Sequence, residues 1–133
     1  MRFLISILLL LCFSHVANAQ QFECRGAQRQ VAELMFGRKI GERLGVTNQK
    51  WQRFVDREIT PRFPDGLSVV DASGQWRDTA RNTIVREPSK LVMIVLAGKG
   101  DDNDKLQQII DAYKRQFRQQ SVGLIVRPAC VSF

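Results

Sequence analysis

Leu91-Val92-Met93-Ile94-Val95-Leu96 is a continuous apolar run with no polar residue at any position of its alternation. A strand that is apolar on both faces is covered on both faces, so this run predicts a strand at the centre of a sheet. Its partner is the stretch Gln30–Gly37 (QVAELMFG). There Ala32, Leu34 and Phe36 alternate with Val31, Glu33 and Met35, the period of a β-strand. These two segments are the most apolar strand candidates of the chain, and placing them side by side decides the fold.

Working outward, two amphipathic helices complete the pattern. Thr47 is an N-cap for a helix running to about Ile59, with Trp51, Phe54, Val55 and Ile59 on one apolar stripe and Pro61 as its stop. A second helix is predicted from about Asp102 to Gln119, with Leu106, Ile109, Ile110, Tyr113 and Phe117 in a stripe. Lys114, Arg115 and Arg118 sit where the helix dipole favours positive charge. Arg38–Val46, bracketed by glycines, reads as a loop. Pro64-Asp65-Gly66 reads as a turn before a short strand, Leu67–Ala72. Ala72-Ser73-Gly74 then reverses the chain into Gln75-Trp76-Arg77 as a hairpin. Asp78–Asn82 reads as a loop, Thr83–Arg86 as a short strand punctuated by Pro88, and Val122–Arg127 as the last strand.

The resulting order is that of an α+β ferredoxin-like sandwich, β-α-β-β-α-β with an extra hairpin, in which two helices cover one face of an antiparallel sheet. The second face then carries Val31, Glu33 and Met35 together with half of Leu91–Leu96. So apolar a face is not left to water. It is covered by a second copy of the chain, by the hairpin around Trp76, or by an apolar ligand.

The beginning of the chain sets the compartment. Arg2 is followed by the apolar run Phe3–Phe13 and by Ala17-Asn18-Ala19, the three parts of a cleavable export signal. Eleven apolar residues are too few for a membrane span, which takes roughly 20. Residues 1–19 are therefore expected to be removed, leaving 20–133 as a single domain in the periplasm or outside the cell. The formal charge of the whole chain is +7, and only Arg2 leaves with the signal. The basic residues are interspersed with acids, so the surface is a mixed one with a weak attraction for anionic envelope components. It shows no basic stripe of the kind that grips nucleic acid.

Cleavage also removes Cys12 and the single histidine, His15. The mature chain then lacks imidazole, which excludes histidine triads, histidine metal sites and histidine acid–base chemistry. No glycine-rich phosphate loop, metal-ligand spacing or nucleophile elbow is present, and no cofactor or metal is expected. Cys24 lies just before the first strand and Cys130 just after the last. In this topology those strands run antiparallel side by side, which brings the two cysteines to one sheet corner. In an oxidising compartment a Cys24–Cys130 disulfide follows.

Candidate ligand-binding residues form a polar-aromatic series at strand ends and turns: Arg62, Asp65, Asp71, Trp76, Arg77, Arg86, Glu87 and Lys90. The arginines offer bidentate forks for a carboxylate or phosphate. Asp65 or Glu87 becomes an acid or base if desolvated. The competing interpretation is that Arg62–Asp65 and Arg86–Glu87 are surface ion pairs that pin turns.

Several longer stretches carry a family resemblance. Glu33-Leu34-Met35-Phe36-Gly37, Trp51-Gln52-Arg53-Phe54-Val55-Asp56, Ile59–Leu67 (ITPRFPDGL), Asp71–Arg77 (DASGQWR), Ile84–Lys90 (IVREPSK) and the ending Cys130-Val131-Ser132-Phe133 together resemble the small secreted bacterial proteins of domain-of-unknown-function family 3574. The resemblance spans nearly all of the mature chain and implies a kind of protein without implying a reaction. The expected function is a non-catalytic binding or interaction module of the bacterial envelope. The alternative is a cofactorless enzyme of the dimeric α/β-barrel type, in which a carboxylate such as Glu33 or Glu87 and an arginine clamp act on a small anionic or apolar substrate.

Overall fold

The computed structural model describes residues 23–133; the expected export signal and its cleavage point lie outside the described residues. Strands β1 (Ala27–Gly37), β4 (Ser68–Asp78), β5 (Thr83–Leu96) and β6 (Gly123–Val131) form one antiparallel sheet in the order β4-β5-β1-β6. The two apolar stretches are indeed its central strands, with Leu34 opposite Val92 and Ala32 opposite Ile94. This is the α+β sandwich that the element order implies.

Helix α1 (Asn48–Phe54) begins as expected, with the Thr47 hydroxyl accepting from the Lys50 N–H at 3.3 Å. It continues as a π-helical turn, Val55–Ile59, closed by the Thr60 N–H on the Val55 carbonyl at 2.9 Å. An ordinary helix would carry Ile59 about 80° round from Trp51. The wider turn swings it back, and Trp51, Phe54, Val55 and Ile59 are all buried. Helix α2 (Asp102–Phe117) lays Leu106, Ile109, Ile110, Tyr113 and Phe117 on the same sheet face. Between helices and sheet the rings of Phe36, Trp51, Phe54, Tyr113 and Phe117 form one cluster, Phe36 and Tyr113 meeting edge to face at 4.7 Å between centroids.

The hairpins differ from expectation. Gly74 is not a turn: β4 runs straight through it to Asp78, and the chain reverses at residues 79–82. The Asp78 carboxylate makes that turn by accepting from the N–H groups of Ala80 and Arg81 at 3.0 and 3.2 Å. Nor does Pro88 interrupt β5. Its carbonyl accepts from the Arg38 N–H at 3.0 Å, so its nitrogen faces the side where β1 has already ended and no donor is required. The extra hairpin exists elsewhere, as β2 (Lys39–Ile40) and β3 (Arg43–Leu44), in the stretch that reads as a loop. Trp76 therefore extends the sheet and does not fold over its open face, where Met35 and Met93 remain 41% and 38% exposed.

Cys24 and Cys130 are joined, with Cα atoms 5.5 Å apart across 106 positions of sequence. The pairing of Gln28 with Cys130 in the β1–β6 ladder brings them to the sheet corner that the strand order requires.

Candidate functional site

The open sheet face is hollowed at one end into a groove of about 580 Å³. One wall is the β2–β3 hairpin (Lys39–Glu42), another the projecting β4–β5 hairpin with Trp76, and a third the connection from α2 to β6 (Arg118–Ser121). Its depth comes from small residues on the floor. Gly37, Gly74, Ser89 and Gly123 line it together with Met35 and Leu91.

Glu87 is the polar centre of that floor. It is 8% exposed. Its Oε1 accepts from the Trp76 indole Nε1 at 2.9 Å, and its Oε2 accepts from the Lys39 backbone N–H at 2.9 Å. The carboxylate thus ties the small β2–β3 hairpin to the long β4–β5 hairpin. Gly37 makes the room: a Cβ built there would stand 2.5 Å from a Glu87 carboxylate oxygen. Each carboxylate oxygen has a second lone pair, so the floor still offers acceptors to a donor entering from the groove. The indole of Trp76, 38% exposed, adds a flat apolar wall beside them.

Behind the floor a second polar network fixes the walls. Arg38 is buried, donating from Nε to the Val46 carbonyl at 2.9 Å and from Nη2 to Asn48 Oδ1 at 2.7 Å. Lys90, also buried, pairs with Asp71 across the β4–β5 ladder, and Arg38 approaches the same carboxylate at 4.0 Å. The Lys90 hydrogen bond holds the Asp71 carboxyl below its ordinary range. The Tyr113 hydroxyl donates to the Gly37 carbonyl at 2.8 Å, and the Gln119 amide donates to the Lys39 carbonyl at 2.6 Å. Burial pushes the Tyr113 phenol upward; Arg38 opposes this shift and Glu87 adds to it.

Of the residues singled out in the sequence, Trp76 and Glu87 come together. Arg77 and Arg86 lie, by strand alternation, on the opposite face of the same hairpin, with Arg77 donating to Asn82 Oδ1 at 3.1 Å. Arg62 and Asp65 line a separate hollow of about 170 Å³ beside Lys99 and Asp102. There Arg62 pairs with Glu58 at 3.0 Å and donates to Gln108 at 3.1 Å. The three guanidinium groups share no partner among the described residues. Glu33 lies on the open face but is paired with Arg127 at 2.7 Å. Sequence reasoning missed Arg38 and Lys39. Arg38 acts from what reads as a loop, and Lys39 contributes a backbone N–H that no side-chain pattern reveals.

The match to the family described as a protein of unknown function, DUF3574, covers residues 31–133, and the chain belongs to that family. No curated protein matches the chain. Among solved structures, it is similar to a phage SAM lyase in complex with S-methyl-5′-thioadenosine, at 19% identity and a TM-score of 0.65 over 83% of this chain and 88% of that one. It is also similar to CutA from Synechococcus elongatus, at 10% identity and a TM-score of 0.50 over 78% and 79% of the two chains. CutA complexed with a Bis-Tris molecule gives 11% identity and a TM-score of 0.51 over 81% of this chain and 87% of that one. At these identities the likeness is one of fold.

Proposed function

We propose that the mature chain is an exported, non-catalytic binding module of the bacterial envelope or periplasm, whose groove holds a small ligand on Glu87 and Trp76. The observation that carries this reading is the buried Glu87 carboxylate on the floor of a concave, partly apolar groove, with acceptor capacity left over and an aromatic wall beside it. Export is supported by the leader-like first nineteen residues and by the bonded cysteines, and no described helix is long and apolar enough to cross a membrane. The positive charge supports a weak attraction for anionic envelope components. We propose further copies of the chain as its partner, since the long hairpin leaves Met35 and Met93 uncovered; a homodimer through the open sheet face is the simplest such arrangement.

The same fold holds a thioadenosine in the phage SAM lyase, which makes S-methyl-5′-thioadenosine the first probe. Titration into residues 20–133, followed by Trp76 fluorescence and calorimetry, is expected to show binding that Glu87→Gln weakens at least tenfold. Absence of heat and of any Trp76 response would remove this ligand class. Native mass spectrometry of protein purified from its own periplasm would then report any ligand it carries.

The second reading, a cofactorless enzyme acting through a carboxylate, is favoured by the burial of Glu87 in a concave site. The arginine clamp it calls for is not formed by Arg62, Arg77 and Arg86, which share no partner among the described residues. Incubation with S-adenosylmethionine separates the two readings. Release of S-methyl-5′-thioadenosine that stops in Glu87→Gln would establish the enzyme; recovery of intact probe keeps the binding module.

A further inference from the structure

The first half of strand β6 is apolar on both faces, and among the described residues the strand has no neighbour on its outer side. Leu124 and Val126 lie on the helix-covered face, opposite Leu34 and Ala32, and Ile125 lies on the open face, opposite Glu33. At the other edge of the sheet, β4 repeats the pattern: Val69 lies on the helix-covered face, opposite Val92, and Val70 on the open face, opposite Leu91. The two helices cover the central strands and leave both edges overhanging. Among the described residues nothing pairs the outer side of either strand. With Met35 and Met93 these edge residues make seven large apolar side chains between 38% and 49% exposed. Together they leave on the order of 500 Å² of apolar surface uncovered, spread over both edges and the open face and so divided between the two interfaces that each copy would make.

The backbone of β6 shows how that edge can be used. Pro128 stands opposite Gln30 in the β1–β6 ladder and has no N–H to give β1, so its nitrogen faces the free edge. By alternation Leu124 and Val126 also turn their N–H and C=O groups outward. The edge is therefore open from Gly123 to Arg127 and blunted beyond. Bare apolar edges of this kind pair with another strand.

We infer that copies of the chain join head to tail, the β6 edge of one pairing with the β4 edge of the next. This inference rests on the reading that further copies of the chain shield the open face, and it departs from a face-to-face homodimer: the copies join at the sheet edges and enclose that face between them. Four alternating strands make β4 and β6 run in opposite directions, so the new pair continues the antiparallel sheet without a break. One register satisfies both faces at once. Val69 stands opposite the partner's Val126 on the helix side, and Val70 stands opposite the partner's Ile125 on the open side. Such an interface is heterologous, and copies related by rotation close into a ring. The helices lie outside, and the faces bearing Met35 and Met93 line the interior. In the same register Ala72, Ser73 and Gly74, which line the groove, run beside the partner's Gly123, the partner's Val122 and the partner's Ser121. Each groove is thereby walled by its neighbour.

The test is native mass spectrometry with light scattering on residues 20–133 at micromolar concentration. The wild-type chain is expected to be a closed oligomer. Val126→Pro repeats the geometry already tolerated at Pro128 and removes an outward donor, so it should give a folded monomer. Val70→Asp and Ile125→Lys should each weaken assembly at least tenfold, and the Val70→Asp/Ile125→Lys double variant should regain it. Should Val126→Pro fail to fold, Val70→Asp decides alone. A monomeric wild-type chain overturns the inference. So does an assembly that survives Val70→Asp and Ile125→Lys but is lost in Met93→Glu, which would be a face-to-face dimer. Ligand binding, read separately in Glu87→Gln, can fail without affecting any of these outcomes.

Discussion

The Tyr113 hydroxyl donates to the carbonyl of Gly37 at 2.8 Å, reaching from the middle of α2 to the last residue of β1. Gly37 is also the residue whose missing side chain admits the Glu87 carboxylate. One hydrogen bond therefore couples the aromatic core to the floor of the groove. Replacing Tyr113 by Phe keeps the ring packing and removes the donor to a carbonyl at the end of a core strand. The expected loss is about 1 kcal/mol, read from urea unfolding, with no change in the slope of the transition.

The same tyrosine sets an alkaline limit. Burial raises its pKa above the ordinary 10.0, so the folded state keeps the proton that the unfolded chain gives up. Its contribution is complete below pH 10 and declines as the pH rises from there toward the folded value. Stability of the wild-type protein should fall above pH 10 more steeply than that of Tyr113→Phe. Parallel curves for the two proteins would show that the phenol does not titrate with unfolding.

Gly37→Ala tests the crowding itself. The added methyl would meet the Glu87 carboxylate at 2.5 Å, and that carboxylate is held on both sides by Trp76 and Lys39. Either the carboxylate leaves its donors or β1 shifts, and the expected destabilisation is about 1–3 kcal/mol. A change in the emission of Trp76, the more exposed tryptophan, should accompany it. An unchanged midpoint and spectrum would mean that Glu87 has room to move.

The fold was legible in the sequence because its decisive elements are periodic. Val31–Phe36 alternates, Leu91–Leu96 is apolar throughout, and the Trp51 and Leu106 stripes are helical. Those patterns record burial, and burial is what the fold distributes. The site was legible only as loose parts. Trp76 and Glu87 stood out as residues, but their contact depends on β4 passing straight through Gly74 so that Gly74 faces Glu87. Ala72-Ser73-Gly74 also fits a turn, and local sequence does not separate the two. Arg38 and the Lys39 N–H act through tertiary placement alone, which leaves no periodic trace.

The cysteine pair gives the last prediction. Residues 24 and 130 come from opposite ends of the described chain, and their meeting requires β1 and β6 to be antiparallel neighbours, as they are. With Cα atoms 5.5 Å apart, the pair lies inside the range a disulfide spans, without backbone movement. Closing a loop of this length restricts the unfolded chain by up to about 4.7 kcal/mol on the chain-entropy estimate, and native disulfides of small secreted domains typically contribute about 2–5 kcal/mol. Cys24→Ser/Cys130→Ser should therefore keep the fold in mild conditions and lower the urea midpoint markedly. Reduction of the wild-type protein should bring it to the same midpoint. A thiol assay on denatured, unreduced protein lacking residues 1–19 should find no free thiol, because the third cysteine, Cys12, lies within residues 1–19. Two reactive thiols per chain would show that the bond does not form, and the β1–β6 corner would then be held by its ladder alone.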